Sequence, residues 1–455
     1  MVRPLLAALL LATPLLAAEA PNFEDHVLPL LRDHCVSCHR PGKTRAGLDL
    51  TNVAAIEKGG SSGASVVPGV AENSPLYRAI AHIGKEEAMP PDKDRLSDPI
   101  LKVFKAWIEG GLKPTASGLA KKASAVLDIA IDPATLGAPK EPIVYVKELP
   151  APAAPPRQTR ALPVSALATN PWAPVAVVGG HREAVLHDLA SGKRIGSLPF
   201  EPGDVRVLRF SRNGKLVLIA GGKETASGKA VLVDVTTGKA IATIGDDFDV
   251  VLAADLSPDQ SLLALGGPEK LVRVYRVADG SLAYTVKKHT DFITAIEFSP
   301  DGKSIASGDR ASGLYVYPAA SGTAPALIEG VVDGVHQLAW RPDGKVLGVA
   351  AGDGSALIVD PEKRNIAAKW EAHKRGCLSL AFAKDGRILT GGHDGTTRLW
   401  KGDGTKVSEN SGYAGSTFRV AFNHNDSEGF ASDWSGQVRG WNLDDGSEVR
   451  RLISH

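Results

Sequence analysis

The 455-residue chain has little cysteine, little methionine and few aromatic residues: three Cys, two Met and 5 % Phe, Trp and Tyr. So few cysteines exclude a disulfide-rich scaffold. The formal net charge is only +1, so no overall basic field argues for nucleic-acid binding. Glycine (48) and proline (30) are abundant and favour many turns between short strands. At this length we expect two or more domains.

Long apolar runs are also scarce, and the clearest one lies at the start of the chain. Arg3 is followed by the apolar residues 5–16 and by small residues that allow cleavage after Ala18 or Ala20. This pattern predicts a signal peptide over residues 1–20, and the apolar run is too short to span a bilayer comfortably. A retained anchor is the alternative. We therefore expect a periplasmic or otherwise exported protein with no transmembrane segment in the mature chain.

Two of the three cysteines belong to a C-x-x-C-H motif. Cys35 and Cys38 are spaced to form thioethers with the two vinyl groups of one porphyrin, and His39 follows as an axial iron ligand. A disulfide would leave His39 without a role, and a zinc site would need further ligands close by. The motif predicts one covalently bound haem c. Export agrees with it, because c-type attachment in bacteria is completed outside the cytoplasmic membrane.

Met89 is the only methionine besides Met1, and it precedes two prolines that stiffen its loop. A thioether opposite histidine favours ferrous iron and raises the reduction potential. The alternatives are that Met89 fills the core, or that His82 is the sixth ligand. The sequence thus predicts His39 and Met89 as the iron ligands, and we identify no catalytic residues.

Apolar periodicity predicts three helices around these residues: residues 22–34, a short helix from Ser74 and Pro75, and a helix capped by Ser97 and stopped by Gly110. The remainder of this segment is expected to be glycine-rich loop.

This part of the chain resembles the planctomycete-type cytochrome c domain over about residues 21–113. The shared motifs are C-V-S-C-H at 35–39, G-L-D-L at 47–50, V-P-G at 67–69, S-P-L at 74–76, M-P-P at 89–91 and W-I-E-G-G at 107–111. The resemblance implies a compact helical cytochrome c fold with His39 and Met89 as axial ligands. Pro41 stands where the family usually has glycine. Twelve Lys+Arg balance twelve Asp+Glu in this segment, so docking of a redox partner should depend weakly on long-range electrostatics.

Residues 114–163 are rich in Ala, Pro and Lys and predict a semi-rigid linker. Residues 143–146 could form one strand at the edge of the next domain, or belong to a disordered tether.

From residue 164 to 455 the chain repeats with the period of a propeller blade. Equivalent turn residues are Asn170, Asn213, Asp259, Asp301, Asp343, Asp385 and Asp426, spaced by 43, 46, 42, 42, 42 and 41 residues. Short alternating strands flank each turn, and four strands repeated seven times predict a seven-bladed β-propeller. The first two blades fit the pattern least well, and ring closure is open because residues 448–453 already supply a fourth strand to the last blade.

These repeats resemble WD repeats, most closely from His373 to Trp400. In that blade the histidine, the turn aspartate Asp394 and the tryptophan can form a hydrogen-bonded support, and His289 and Asp433 are read as structural in the same way. Cys377 is predicted to be buried and unreactive. The expected fold is therefore a small all-α cytochrome c domain followed by an all-β seven-bladed propeller of WD type.

The leading hypothesis is an exported c-type cytochrome that transfers electrons, with the propeller as docking platform for a redox partner protein. The alternative is a periplasmic haem-dependent oxidoreductase whose propeller holds a second cofactor or substrate. A haem-based sensor, with Met89 dissociating readily, is a third class.

Overall fold

The computed structural model describes residues 21–61, 63–84, 86–91, 93–115, 129–131, 139, 141–149, 163–247 and 249–453. The chain divides into two compact units, Met1–Ala125 and Val126–His455. The predicted signal peptide and most of the predicted linker lie outside the described residues. Within the part of the chain that is described, no helix combines the length and the apolarity needed to cross a bilayer.

The first unit is mainly helical. Its elements are a π-helical turn at Phe23–Val27, α1 (Leu28–His34), β1 (His39–Arg40), β2 (Lys43–Thr44), a 3-10 turn at Arg45–Gly47, α2 (Val53–Lys58), a 3-10 turn at Ala71–Asn73, α3 (Pro75–Ala81) and α4 (Asp98–Glu109). Strands β1 and β2 pair as an antiparallel hairpin, which the prediction of an all-α domain did not include.

The three predicted helices are present, and α2 is one that we did not predict. Its signal was in the sequence, because Asn52 is a good N-cap and its side chain accepts a hydrogen bond from the Ala55 amide at 2.8 Å. The expected cap at α4 differs in detail: Ser97 occupies the cap position but makes no side-chain cap hydrogen bond. α3 ends at His82, which adopts a left-handed conformation.

The core of this unit is built on α4. Phe104, Trp107 and Ile108 are fully buried and pack with Leu31 of α1 and Ile56 of α2. The Trp107 indole donates to the backbone carbonyl of residue 113 at 3.1 Å, so the largest buried side chain is also satisfied at its polar atom.

The second unit is built from antiparallel strands. They are β3 (Leu167–Thr169), β4 (Val175–Gly179), β5 (His181–Asp188), β6 (Lys193–Phe210), β7 (Leu216–Lys223), β8 (Ser227–Asp234), β9 (Ala240–Asp247), β10 (Ala253–Leu256), β11 (Leu262–Gly266), β12 (Val272–Arg276), β13 (Leu282–Val286), β14 (Ile293–Phe298), β15 (Ser304–Asp309), β16 (Leu314–Pro318), β17 (Ala326–Leu327), β18 (Val335–Trp340), β19 (Leu347–Ala351), β20 (Ser355–Asp360), β21 (Asn365–Glu371), β22 (Cys377–Phe382), β23 (Ile388–Gly392), β24 (Thr397–Trp400), β25 (Lys406–Asn410), β26 (Thr417–Phe422), β27 (Glu428–Asp433), β28 (Gln437–Asn442) and β29 (Glu448–Ile453).

Hydrogen bonding groups these strands into six sheets rather than the seven predicted. Strands β10 to β29 form five successive four-stranded sheets, and β3 to β9 form one seven-stranded sheet. The merger arises from β6, which is 18 residues long and pairs with β5 through its first half and with β7 through its second half. These are the two blades in which the repeat pattern was weakest.

The sheets are open, and among the described strands none pairs the last sheet with the first. The two are nevertheless in contact, because β26 lies against β3. The Thr169 hydroxyl donates to the Phe422 carbonyl, and the Ser432 hydroxyl donates to the Val164 carbonyl at 2.8 Å. Buried apolar residues from both sheets, among them Val178 and others of β4, form one cluster.

The repeated turns are Asx-type turns between the first and second strand of a repeat. Asp301, for example, accepts a hydrogen bond from the Lys303 amide at 3.0 Å. Two of the predicted turn residues are displaced from the equivalent turn position, Asn170 by two residues and Asp426 by one. Strand pairing places Trp172 at the position predicted for Asn170, and Asn425 at the position predicted for Asp426. Asn425 accordingly accepts from the Ser427 amide.

Part of the predicted linker packs on the second unit. Ile143 and Tyr145 are buried among residues of the first sheet. The Val146 amide donates to Val235 at 2.9 Å, and the Leu149 amide donates to Ile195 at 3.1 Å. Residues 143–146 are therefore an ordered segment held against the sheet, although they do not form a strand.

Candidate functional site

One cavity of the first unit collects the residues that the motif predicted. It has a volume of about 400 Å³, and Cys35, Cys38, His39 and Met89 all line it. The volume lies within the range of pockets that hold small molecules and cofactors.

The chain around the C-x-x-C-H motif is a continuation of α1. The Cys35 amide donates to Leu31 at 2.8 Å, the Cys38 amide to Cys35 at 3.0 Å, and the His39 amide to Cys35 at 3.1 Å. These short-range bonds place the two cysteine side chains on one wall of the cavity. Both thiols are free of any disulfide.

The two cysteines differ in their surroundings. Cys35 is 8 % exposed, whereas Cys38 is half-buried. Burial raises the pKa of the Cys35 thiol to about 11, so this thiol is protonated at neutral pH. The protonated thiol is not the nucleophilic form of cysteine.

His39 is held in one orientation by the loop that follows it. Its ring is 9 % exposed, and Nδ1 lies 3.3 Å from the carbonyl oxygen of Leu48. A proton on Nδ1 can be donated to this carbonyl, which leaves Nε2 as a neutral donor atom for a metal. Metal-ligating histidines are commonly oriented by such a hydrogen bond from the other ring nitrogen.

Another part of the lining comes from α3 and the loop after it. The Met89 amide donates to the Ala79 carbonyl at 3.0 Å, which ties the loop to the end of α3. Met89 is half-buried and packs against the core. His82, the alternative ligand, is exposed and is absent from the cavity lining; its Nε2 lies 3.3 Å from the Met89 carbonyl oxygen instead.

Most of the remaining lining is apolar. The apolar side chains of the wall are Leu48, Leu50, Leu76, Ala79, Ile80, Pro75, Pro90 and Pro91. Charged residues complete it: Arg45, Glu86, Glu87 and Lys93. Residues 60, 61 and 63–65, which belong to the predicted glycine-rich loop, also line the cavity.

In the second unit the predicted support of the His373 blade is present. The His373 ring bonds Asp394 through Nδ1 at 2.9 Å and Thr390 through Nε2 at 2.8 Å, and the Trp400 indole donates to the Thr390 hydroxyl at 2.9 Å. Thr390 is the link that we had not named. Burial opposes ionisation of Asp394, but hydrogen bonds from His373 and Thr396 outweigh it and lower its pKa to about 2.

The other residues that we interpreted as structural also make structural contacts or are buried. His289 is buried and bonds Asp309 and Ser307, each at 2.8 Å. Asp433 accepts from the Ser435 amide at 2.9 Å in a turn. Cys377 is fully buried and burial raises its pKa, as expected for an unreactive thiol.

The remaining histidines do not assemble a metal site. The rings of His336 and His393 approach with centroids 6.5 Å apart. Among the described residues, no group of three His, Cys, Asp or Glu side chains is arranged to hold a metal ion.

Models of known families match parts of both units. Residues 35–93 match the model of the planctomycete cytochrome C family. Residues 280–317 match the WD domain, G-beta repeat, and residues 328–385 match the WD40 domain of anaphase-promoting complex subunit 4. No curated protein matches the chain. The cytochrome family implies a c-type haem and suggests an exported protein, and the WD repeats suggest protein–protein interaction.

Proposed function

We propose that this protein, a cytochrome c domain fused to a WD-repeat domain, is an exported electron carrier whose WD-repeat domain docks a redox partner. One observation carries the proposal. Met89 lies fifty residues beyond the C-x-x-C-H motif, yet it lines the same largely apolar cavity as Cys35, Cys38 and His39.

Each of these residues has chemistry that fits a c-type haem. Cys35 and Cys38 would hold it through thioethers, and His39 and Met89 would ligate the iron through Nε2 and Sδ. When bound, such a group supplies a one-electron ferric/ferrous couple. We propose one haem for the chain, because the sequence contains a single C-x-x-C-H motif.

The surrounding residues would orient the ligands and exclude water. The Leu48 carbonyl fixes the His39 tautomer, and the Ala79 carbonyl holds the Met89 loop. Leu50 and Ile80 supply apolar wall, and a water-poor site disfavours the more highly charged oxidised iron. His82 is engaged with the backbone outside the cavity, which supports Met89 as the sixth ligand.

For the second unit we propose a seven-bladed β-propeller. Strand β6 would serve two blades, its first half as the outer strand of blade one and its second half as the inner strand of blade two. The contact between β26 and β3 supports closure by side-chain packing rather than by strand pairing. A rigid ring of this kind offers a broad surface for a protein partner.

The covalent haem is tested by replacing the motif cysteines. Full-length protein made with its leader in a host competent for cytochrome c maturation should stain for haem after denaturing electrophoresis. The variants Cys35→Ala and Cys38→Ala together should lose the stain and keep the β-sheet circular dichroism. Cys377→Ala is the matched control and should keep both. A wild-type protein without the stain would refute the haem assignment.

Electron transfer is tested on the same holoprotein by spectroelectrochemistry. A reversible one-electron couple is expected, and the absence of a reversible couple would refute the carrier function. Cell fractionation of tagged protein tests export, which a cytoplasmic holoprotein would contradict.

A further inference from the structure

A narrow cavity of about 40 Å³ in the second unit is lined mainly by residues of β6, β10, β14, β18 and β26, and we call it the inner-strand cavity. It shares Leu167, Leu208, Arg209 and Gln337 with a wider cavity of about 450 Å³. The inner-strand cavity is large enough for a few waters or one small ion, and far below the size that an organic cofactor needs.

The charge of its lining is one-sided. Arg206, Arg209 and Arg419 line the inner-strand cavity, and its described lining contains no Asp or Glu. His336 adds no charge near neutral pH, because burial, His393 and Arg419 lower its pKa to about 4. Two of the three arginines have carboxylate partners outside the cavity. Arg206 lies 3.7 Å from Asp204, and Arg209 lies 3.8 Å from Glu297.

Arg419 has no such partner. It makes no ion pair with a described residue, and its one described side-chain hydrogen bond goes to the carbonyl of the adjacent Phe418 at 3.1 Å. Burial and the like charge of Arg209 lower its pKa to about 10, so it remains a cation at neutral pH. Arg419 is half-buried, so water screens its charge only in part, and a bound anion would compensate the two neighbouring cations.

The carboxylate partner of Arg209 is already shared with another arginine. Glu297 is 5 % exposed and already lies between Arg209 and Arg212, 3.7 Å from the latter. Burial, together with Asp255, raises the pKa of Glu297, so this side chain compensates even less positive charge than its formal count suggests. The Asp255 carboxylate is also engaged already, because it accepts a hydrogen bond from the Phe298 amide at 2.8 Å.

The repeat shows that the fold does not require a charge at this position. Arg419 stands three residues before the end of its first strand. The same position in the other repeats with a clear first strand is uncharged: Val207, Ala253, Ala295, Gln337 and Ser379. The fold alone therefore does not account for the arginine at position 419, whereas a bound anion would.

We propose that the inner-strand cavity binds a small inorganic anion of halide size between the guanidinium groups of Arg209 and Arg419. The anion supplies the negative charge that the lining lacks, and its size is set by the cavity. This property is independent of haem binding and of electron transfer.

Full-length protein is tested with chloride and bromide as probes, at constant ionic strength with gluconate as the replacing anion. Halide should raise the melting temperature of the β-sheet transition, because a ligand that binds only the native state stabilises it. Arg419→Gln should weaken halide binding, so that the half-saturating halide concentration rises at least tenfold. Arg310→Gln is the matched control, since Arg310 is an exposed arginine of the same unit, stacked on Phe292.

Crystals of wild-type protein soaked in bromide locate the site directly. An anomalous peak between Arg209 and Arg419 is expected. The absence of a peak in the inner-strand cavity would overturn the proposal, whatever the folding of the variants. An equal halide response in wild type and Arg419→Gln would overturn it as well. If Arg419→Gln does not fold, Arg419→Lys replaces it, and weaker halide binding is expected because the planar fork is lost.

Discussion

Removing the hydroxyl of Thr390 tests how much its hydrogen bonds stabilise the WD-repeat domain. It joins His373 and Trp400 inside one blade, at 2.8 Å and 2.9 Å. The carboxylate of Asp394 faces Nδ1 of His373, so Nδ1 carries the proton and Nε2 accepts. Burial lowers the pKa of His373, which keeps the ring neutral. Thr390 therefore donates to His373 and accepts from Trp400.

The substitution Thr390→Val keeps the shape of the side chain and removes only this hydroxyl. It leaves Nε2 of His373 and the indole N–H of Trp400 without partners. Both side chains are buried, with His373 at 0 % exposure of its side chain and Trp400 at 6 %. Each orphaned group costs about 1–3 kcal/mol, so we expect a loss of about 3–4 kcal/mol in the free energy of unfolding.

The assay is urea unfolding of full-length protein followed by far-ultraviolet circular dichroism. Thr390→Ser is the matched control, because it keeps the hydroxyl and loses one methyl group, for a cost of about 1 kcal/mol. A difference of about 2 kcal/mol or more between the two variants is expected. If Thr390→Val and Thr390→Ser unfold within 0.5 kcal/mol of each other, roughly the scatter of additive mutational effects, the argument from orphaned groups is refuted.

Three further predictions concern the cavity and the pH response. Met89→Ala should lower the reduction potential and let carbon monoxide bind the reduced protein, whereas His82→Ala should do neither; the reverse result would make His82 the ligand. Gly59→Ala should destabilise the cytochrome domain by at least about 2 kcal/mol, because Gly59 has φ +70° and a Cβ there would meet a backbone oxygen at 1.8 Å. Gly42→Ala is its control, since nothing lies within 4 Å of a Cβ there, and equal melting temperatures would contradict the steric argument. Burial first, then nearby positive groups, lower the pKa of His336 from 6.5 to about 4. Between these two pH values the native state binds fewer protons than the unfolded chain, so the free energy of unfolding falls as the pH drops. His336→Gln should reduce the loss between pH 7 and pH 5 by about 1–2 kcal/mol in urea titrations, and an unchanged loss would disprove the linkage.

The haem motif and the repeats could be read without a structure because both are encoded locally. Two cysteines and a histidine at fixed spacing carry their chemistry in the spacing itself, and the family match over residues 35–93 agrees with it. The helix stripe that includes Trp107 is equally local. Even the missed helix α2 had a local signal in Asn52.

The joining of the first two blades was not readable, because it depends on the course of one strand. The alternation of apolar and polar residues over positions 193–210 does not distinguish two strands joined by a bend from one long strand β6. Thr390 was missed for a similar reason. A threonine on a strand is ordinary until pairing brings it beneath His373 and Trp400.

The C-x-x-C-H motif, the Pro-rich composition of residues 114–163 and the WD-type repeat could be identified from the amino-acid sequence alone, since these patterns depend on neighbours in the chain. Tertiary structure alone decided that Met89 rather than His82 lines the cavity, and that Arg419 and Arg209 share a cavity whose described lining holds no carboxylate. Contacts between residues far apart in sequence follow from packing, and packing of side chains is fixed only when the whole fold has formed.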